Sequence, residues 1–293
     1  MDGFRGKPET VLHLPLSSSF CWFLFAWFNT NSAKDDQGSN HMEEMHSCSA
    51  HSPDSLFSRE GRSSISSAPP RLDIDLTPGR QFHPENVYPQ HFSQDDIEVP
   101  QGDYIYLACP GSKRKCPQCN VHAAHDDCIV IAIDGACSNN GKDEARSAIG
   151  VFHGHYSEFN MSYPLDNIDR HTNQIAELEA CVKALSDAII IQAEWEIAGD
   201  RLHAVVIKSD SEYVVRGLTE WLPKWKKNGW KNARGSPVAN STHFHRVERL
   251  VEQLEQDISV KFWMVPRERN KMADSLAKSA LEGKGIGQQY YPE

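Results

Sequence analysis

Apolar and polar positions divide the chain into a weakly patterned front and a strongly periodic remainder. Ile129-Val130-Ile131-Ala132-Ile133 is a run of five apolar residues, four of them β-branched, which predicts a buried central strand ended by Asp134. Residues 148–152 and 159–163 predict two further strands in an antiparallel meander. Ile175, Leu178, Val182, Leu185 and Ile189 recur at helical spacing, so one face of a helix is buried, with Thr172 or Asn173 as its cap. A strand at 202–207, a helix carrying Phe244, Val247, Leu250, Val251 and Leu254, a strand at 258–265 and a helix at 270–281 complete the order. Strands alternating with helices in this way predict an α/β fold with a five-stranded mixed sheet flanked by helices, over residues 129–283.

The front of the chain is different. Residues 1–96 are rich in Ser, Pro, His, Asp and Gly without a sustained period, and are expected to be largely disordered. One apolar run, 20–28, is shorter than the roughly 20 residues that span a bilayer, so no membrane partner is expected. Arg5 and Lys7 precede it as in a signal peptide, whereas Asp2 and Glu9 weaken secretory and mitochondrial readings alike, and a misassigned gene start explains the run as well.

Residues 97–128 read as a small separate feature: two short strands, then Cys109, Cys116, Cys119, His122, His125 and Cys128. A structural Zn2+ held by Cys109, Cys116, Cys119 and Cys128 is one reading; a cysteine-rich linker packed on the next domain is the other. In either case the segment is expected to be dispensable for the chemistry, with a start near Asp126 sufficient for folding. Residues 284–293 read as a tail.

Composition narrows the function. Net charge is −10, which excludes a protein that coats nucleic acid over its whole surface. The imbalance lies in residues 1–128, with 17 acidic and 10 basic residues, against 23 and 20 in the remainder, leaving room there for a local basic face. The eight cysteines do not form a small-scaffold disulfide pattern. Reduced thiols in an intracellular compartment are expected, with nucleus, mitochondrion and cytoplasm all open.

Three acids sit where elements begin or end: Asp134 after the first strand, Asp210 after the fourth, and Asp274 in the first turn of the last helix. If strands one and four are parallel neighbours, Asp134 and Asp210 emerge together at the edge where open α/β sheets bind ligands. Glu177, off the apolar stripe of its helix, can point there too, whereas Glu179 belongs to another face. Converging carboxylates need hard cations, and two such ions suit phosphoryl displacement.

Asp134-Gly-Ala-Cys-Ser-Asn-Asn-Gly141, Thr172-Asn-Gln-Ile-Ala-Glu-Leu-Glu-Ala180, Ser209-Asp-Ser-Glu-Tyr213, Trp221-Leu-Pro-Lys-Trp-Lys-Lys-Asn-Gly-Trp-Lys231 and Ala273-Asp-Ser-Leu-Ala277 follow in order, and together they resemble the type 1 ribonuclease H family, closest to eukaryotic, fungal members. The resemblance implies an endonuclease that cuts the RNA strand of RNA–DNA hybrids with two Mg2+ ions, for which Mn2+ can substitute, leaving 5′-phosphate and 3′-hydroxyl ends; a monomer is expected. By motif match Asp134, Glu177, Asp210 and Asp274 are the metal ligands.

Between Trp221 and Arg246 lie six basic residues and no acid, interleaved with Trp221, Trp225 and Trp230. Such a segment suits phosphates and sugar stacking; it also reads as an amphipathic helix with tryptophans in the core and solvated lysines. The resemblance makes it a basic protrusion gripping the DNA strand, with Lys226, Lys227, Lys231 and Trp221 as contacts. By the same match Arg170, Thr172 and Asn240 form a DNA-phosphate pocket, and Asn140, Asn173 and Gln174 read the minor groove. Glu177 also meets a 2′-hydroxyl, the group only RNA offers. One departure stands out: loop 266–271 holds no histidine where many family members have one, and Glu268 or Arg269 would have to replace it. A catalytically dead nucleic-acid-binding module and a retroelement-derived nuclease domain are the rival readings.

Overall fold

The computed structural model describes residues 79–286. The 20–28 run, Cys21, Cys48 and residues 287–293 lie outside them. Seven strands form one sheet: β1 (Glu98–Gln101), β2 (Tyr104–Ala108), β3 (Ala124–Ser138), β4 (Arg146–Phe152), β5 (Met161–Pro164), β6 (Ala204–Ser209) and β7 (Ser259–Met264). The helices are α1 (Pro84–Val87), α2 (Asn173–Ala198), α3 (Glu212–Arg216), α4 (Leu222–Asn228), α5 (Ser241–Leu254) and α6 (Lys271–Leu281), with a π-helical turn at Gly217–Trp221 joining α3 to α4.

The expected five-stranded mixed sheet is present as β3 to β7. β4 and β5 continue antiparallel from β3, and β6 and β7 run parallel to it. β3 is 15 residues long, so Asp134 lies within it and not at its end. The strand persists because β4 goes on pairing with it as far as Ser138↔Arg146, whereas the parallel ladder to β6 stops at Ala132↔Lys208. Asp134 therefore does sit just beyond the parallel part of the sheet, as the sequence requires.

The segment before residue 129 is no separate feature. β2 pairs with the first half of β3, Ile105 opposite Val130, on the side that β4 vacates after Phe152. The Ile105 amide donates to the carbonyl of His153 at 2.8 Å, so β2 continues the line of β4. Without β2 this half of β3 would present an open edge. Part of the region expected to be disordered is folded as well. Gln81 bridges Phe262 of β7, the Phe82 amide donates to the Phe262 carbonyl, and the Phe262 amide donates to the Arg80 carbonyl. Phe82 is buried edge-on against Trp263, 5.5 Å between ring centres. At the other end, Ile286 exchanges backbone bonds with Ser162, so the expected tail begins as an antiparallel bridge alongside β5.

Two apolar layers cover the two faces. On one, Ile129, Ile131 and Ile133 pack under α2, α3 and α5. On the other, Cys128, Val130 and Ala132 meet Phe82, Tyr88, Ile97, Val99 and Ala273. Burial of apolar surface on both faces explains why β3 reads as a continuous hydrophobic run. Among the described residues no helix is long and apolar enough to cross a membrane.

Candidate active site

Each of the four predicted acids arrives on a different element. Asp134 comes from β3, Glu177 from the first turns of α2, Asp210 from the residue after β6, and Asp274 from the first turn of α6. Two glycines of the sheet let the helices come this close. A side chain at Gly135 would sit 2.2 Å from the Glu177 backbone nitrogen, so α2 rests directly on β3 beside Asp134. Gly150, paired opposite Asp134, does the same for α6: a Cβ there would lie 2.2 Å from the Ala273 carbonyl oxygen. Thr172 caps α2 by accepting the Ile175 amide at 3.2 Å, fixing the turn that carries Glu177.

Neighbouring polar side chains hold the acids. The Asn173 amide donates to Glu177 Oε1 at 2.8 Å, and the Ser211 hydroxyl donates to Glu177 Oε2. Asn270, the residue before α6, is buried; its Nδ2 donates both to the Ile133 carbonyl (2.8 Å) and to Asp210 Oδ1 (2.7 Å), tying β3, β6 and α6 together. Asp274 accepts from Arg267 and from Lys278, each at 2.6 Å. Ser211, Arg267, Lys278, Asn270 and the two glycines were not singled out by sequence reasoning; the only signal for Asn270 was its place just ahead of a helix.

Electrostatics bind the four into one group. Burial, then the charges of Asp210, Asp274 and Glu177, push the Asp134 carboxyl up to about 7. Burial also pushes Glu177 up to about 7; the Ser211 hydrogen bond works against this and Asp210 works with it. Burial works to raise Asp274, but Lys278 and Arg267 prevail and hold it below the usual carboxylate range. As the side chains stand, no three His, Cys, Asp or Glu residues among those described form a ready metal-ligand group. The reason is visible in the partners: Asp274 is turned onto two cations and Glu177 onto Ser211 and Asn173. Glu179 is elsewhere, as expected, buried against Arg246 (2.6 Å) and His243.

The cysteines are not gathered either. Cys128 is buried in the sheet, where burial first and Asp127 second push its thiol far up. Cys119 is exposed on a loop whose turns close through backbone bonds, Asn120 to Cys116 and Cys116 to Val121. The linker reading fits this packing, and among the described residues the cysteines do not form a ready metal-ligand group.

Around the acids, the residues expected to meet substrate are spread as follows. Asn140 is exposed in the turn after β3, Arg170 and Gln174 are exposed near the start of α2, and Thr172 and Asn173 are engaged there as described. Asn240, at φ +56°, caps α5, and its amide donates to the Tyr213 hydroxyl at 3.1 Å. Trp221, Trp225 and Trp230 form a row with ring centres about 6 Å apart, Trp225 lying edge-on to buried Phe244 and Trp230 against His245. The packing of Trp225 and Trp230 fits the amphipathic reading of the basic segment. Lys227 and Lys231 are exposed, but Lys226 reaches back to Glu248 (2.7 Å) and Glu252 (2.8 Å) on α5, and Arg246 to Glu179. In the histidine-free loop, Arg269 is turned away to Asp95 at 2.7 Å; the residue beside the acids is Arg267.

A family profile described as RNase H matches residues 126–282, the stretch that holds all four acids. The chain belongs to the RNase H family. Human Ribonuclease H1 is 34% identical over 160 residues, covering 53% of this chain and 51% of its own. The Ribonuclease H of Schizosaccharomyces pombe is 34% identical over 155 residues and 53% of each chain, so identity does not favour fungal members over mammalian ones. The Ribonuclease H of Clostridium botulinum strain Hall is 32% identical over 162 residues, covering 53% of this chain and 95% of its own. The chain spans about half the length of the eukaryotic relatives named here. The RNase H match leaves 79–125 outside it, although that segment completes the sheet and its second apolar layer.

Proposed function

We propose that this RNase H domain hydrolyses the RNA strand of RNA–DNA hybrids, leaving 5′-phosphate and 3′-hydroxyl ends, with two divalent cations (Mg2+, or Mn2+ in its place) held by Asp134, Glu177, Asp210 and Asp274. The observation that carries this is the meeting of four acids from four elements around Asp134, whose carboxyl its own burial first, and then their charges, push up to about 7. An all-carboxylate donor set of this kind suits a hard, oxygen-preferring cation and compensates its charge. When bound, such cations supply charge stabilisation to the attacking and leaving oxygens of a phosphodiester.

The chain's own residues do the rest. Asn270 orients Asp210, while Ser211 and Asn173 orient Glu177. Arg267 and Lys278 keep Asp274 ionised. Lys227, Lys231 and Trp221 would take the DNA strand, Arg170, Thr172 and Asn240 one of its phosphates, and Asn140, Asn173 and Gln174 the minor groove. Glu177 would distinguish RNA by its 2′-hydroxyl. No histidine lies in the loop at 266–271; the cation beside the acids there is Arg267.

The test is cleavage of end-labelled RNA–DNA hybrid, double-stranded RNA and double-stranded DNA by the purified chain, with and without Mg2+. Cutting of the hybrid RNA alone, and only with metal, is expected. Equal cutting of all three, or cutting in the presence of a chelator, would overturn the proposal.

A further inference from the structure

Two glutamates of α5, Glu248 and Glu252, and Glu255 at its C-terminal cap stand at helical spacing on one stripe and face two cations. One is Lys226 of the basic segment, which bonds Glu248 Oε1 and Glu252. The other is Arg80, from the strap along β7 that precedes the family-matched region. Its Nε and Nη2 grip Glu255 at 2.9 and 2.7 Å, and its Nη1 bonds the second oxygen of Glu248. Glu248 is thus shared, one oxygen to each cation, and is nearly buried, its side chain 8% exposed. Burial works to raise its pKa, yet Arg80 and Lys226 together hold it below the usual range. The strap itself is anchored independently of these charges. Gly79 accepts from Lys261 Nζ at 2.8 Å, Arg80 and Phe82 bond the Phe262 backbone, and Phe82 is buried.

We propose that Arg80 is a positioning residue for the substrate-gripping segment: through Glu248 it holds Lys226, and with it α4, in the orientation that presents Lys227 and Lys231. Three acids against two cations leave a single excess negative charge on this stripe; without Arg80 two remain, beside a surface meant for phosphates. A buried carboxylate that loses one of its two partners is left under-satisfied and no longer fixed in place, so its hold on Lys226, and through it on α4, loosens. An arginine suits this place because only its planar fork can satisfy Glu255 with two donors and still reach Glu248.

This inference rests on the proposed function for its substrate, so its test has one arm that does not. Amide hydrogen exchange of the metal-free, substrate-free full chain is compared for wild type, Arg80→Ala and Arg80→Lys, after thermal melts establish which variants are folded. Exchange across Leu222–Asn228 should be roughly threefold or more faster in Arg80→Ala. Arg80→Lys, which keeps the charge and most of the strap packing, should lie between, and it carries the comparison if the Ala variant does not fold. A merely structural role in docking the strap would speed exchange at 79–82 and β7 and leave 222–228 at the wild-type rate; that result overturns the inference.

In the second arm, hybrid affinity should fall by roughly 3- to 10-fold in Arg80→Ala while the rate at saturating hybrid stays within about twofold. Combining Arg80→Ala with Lys226→Ala should weaken binding by less than the product of the two single effects, because both act through Glu248. Multiplicative effects, or an unchanged affinity in a protein that cuts hybrid normally, would count against it. If wild type cuts no hybrid, the functional proposal fails, and the exchange arm still decides this one.

Discussion

The backbone nitrogen of Glu177 lies 2.2 Å from where a Cβ on Gly135 would stand. One glycine therefore sets how closely the helix carrying Glu177 approaches the strand carrying Asp134. Real Cβ atoms do not tolerate that contact, so Gly135→Ala must move either β3 or α2. A cost of about 1–3 kcal/mol in stability is expected, as for other overpacked sites. A displacement of even 1 Å between the two acids should lower the rate of hybrid cleavage by about 100-fold. Denaturant unfolding and cleavage kinetics of the variant check both; a folded Gly135→Ala protein with wild-type rate would refute the geometric account.

The metal-free acid cluster predicts an unusual pH dependence. Asp134 and Glu177 hold their protons up to about 7 in the fold, but lose them near 4 when unfolded. Between those limits the folded state binds more protons, so their contribution to stability falls as pH rises, by at most about 1.4 kcal/mol per unit for each proton. In chelator, wild type should lose stability relative to Asp134→Asn between pH 5 and pH 8, and Mg2+ should raise the wild-type melting temperature more at pH 8 than at pH 5. A wild type that gains on the variant over that range would contradict this.

Removing residues before 126 should cost far more than the sequence suggested. The cut strips β2 from the edge of β3 and takes Phe82, Tyr88, Ile97, Val99, Ile105 and Leu107 out of the second apolar layer. Each buried side chain of this size contributes on the order of 1.5–3 kcal/mol, so the truncated chain is expected to be aggregated or unfolded. A soluble, cooperatively melting protein that begins near Asp126 would show that the family-matched stretch closes its own core.

The basic segment divides into free and engaged lysines. Lys227→Ala with Lys231→Ala should flatten the log–log salt dependence of hybrid binding by about 0.7–0.9 for each lost phosphate contact. Lys226→Ala should not produce a full step of this size, because Lys226 is held by Glu248 and Glu252. An unchanged slope in a folded double variant would mean that the lysines are only solvated.

The acids were legible in the sequence because each sits in a local motif and each motif marks the end or start of an element. Thr172 as a cap and the β3–β6 pairing were legible for the same reason, since both follow from local pattern and the parallel rule of α/β sheets. What escaped depends on contacts distant along the chain. Phe82 carries no period and Ile97 and Val99 read only as a short separate strand, and their fit against β3, β6 and β7 is what reveals them as core. Gly135 and Gly150 within strands read as weaknesses until the helices above them are in view. Lys226 reads as free until Glu248 and Glu252 come round on α5, and the cysteines read as a ligand set until Cys128 is seen inside the sheet.

The central claim is that four carboxylates hold the cations that cut RNA paired to DNA. Single-turnover cleavage of a hybrid with labelled RNA, by wild type and by Asp210→Asn in saturating Mg2+, tests it most directly. The variant keeps the shape of the side chain and removes one charge and one ligand. The expected result is a folded variant whose rate is lower by orders of magnitude while it still binds hybrid. Wild-type cleavage by a folded Asp210→Asn protein would contradict the account.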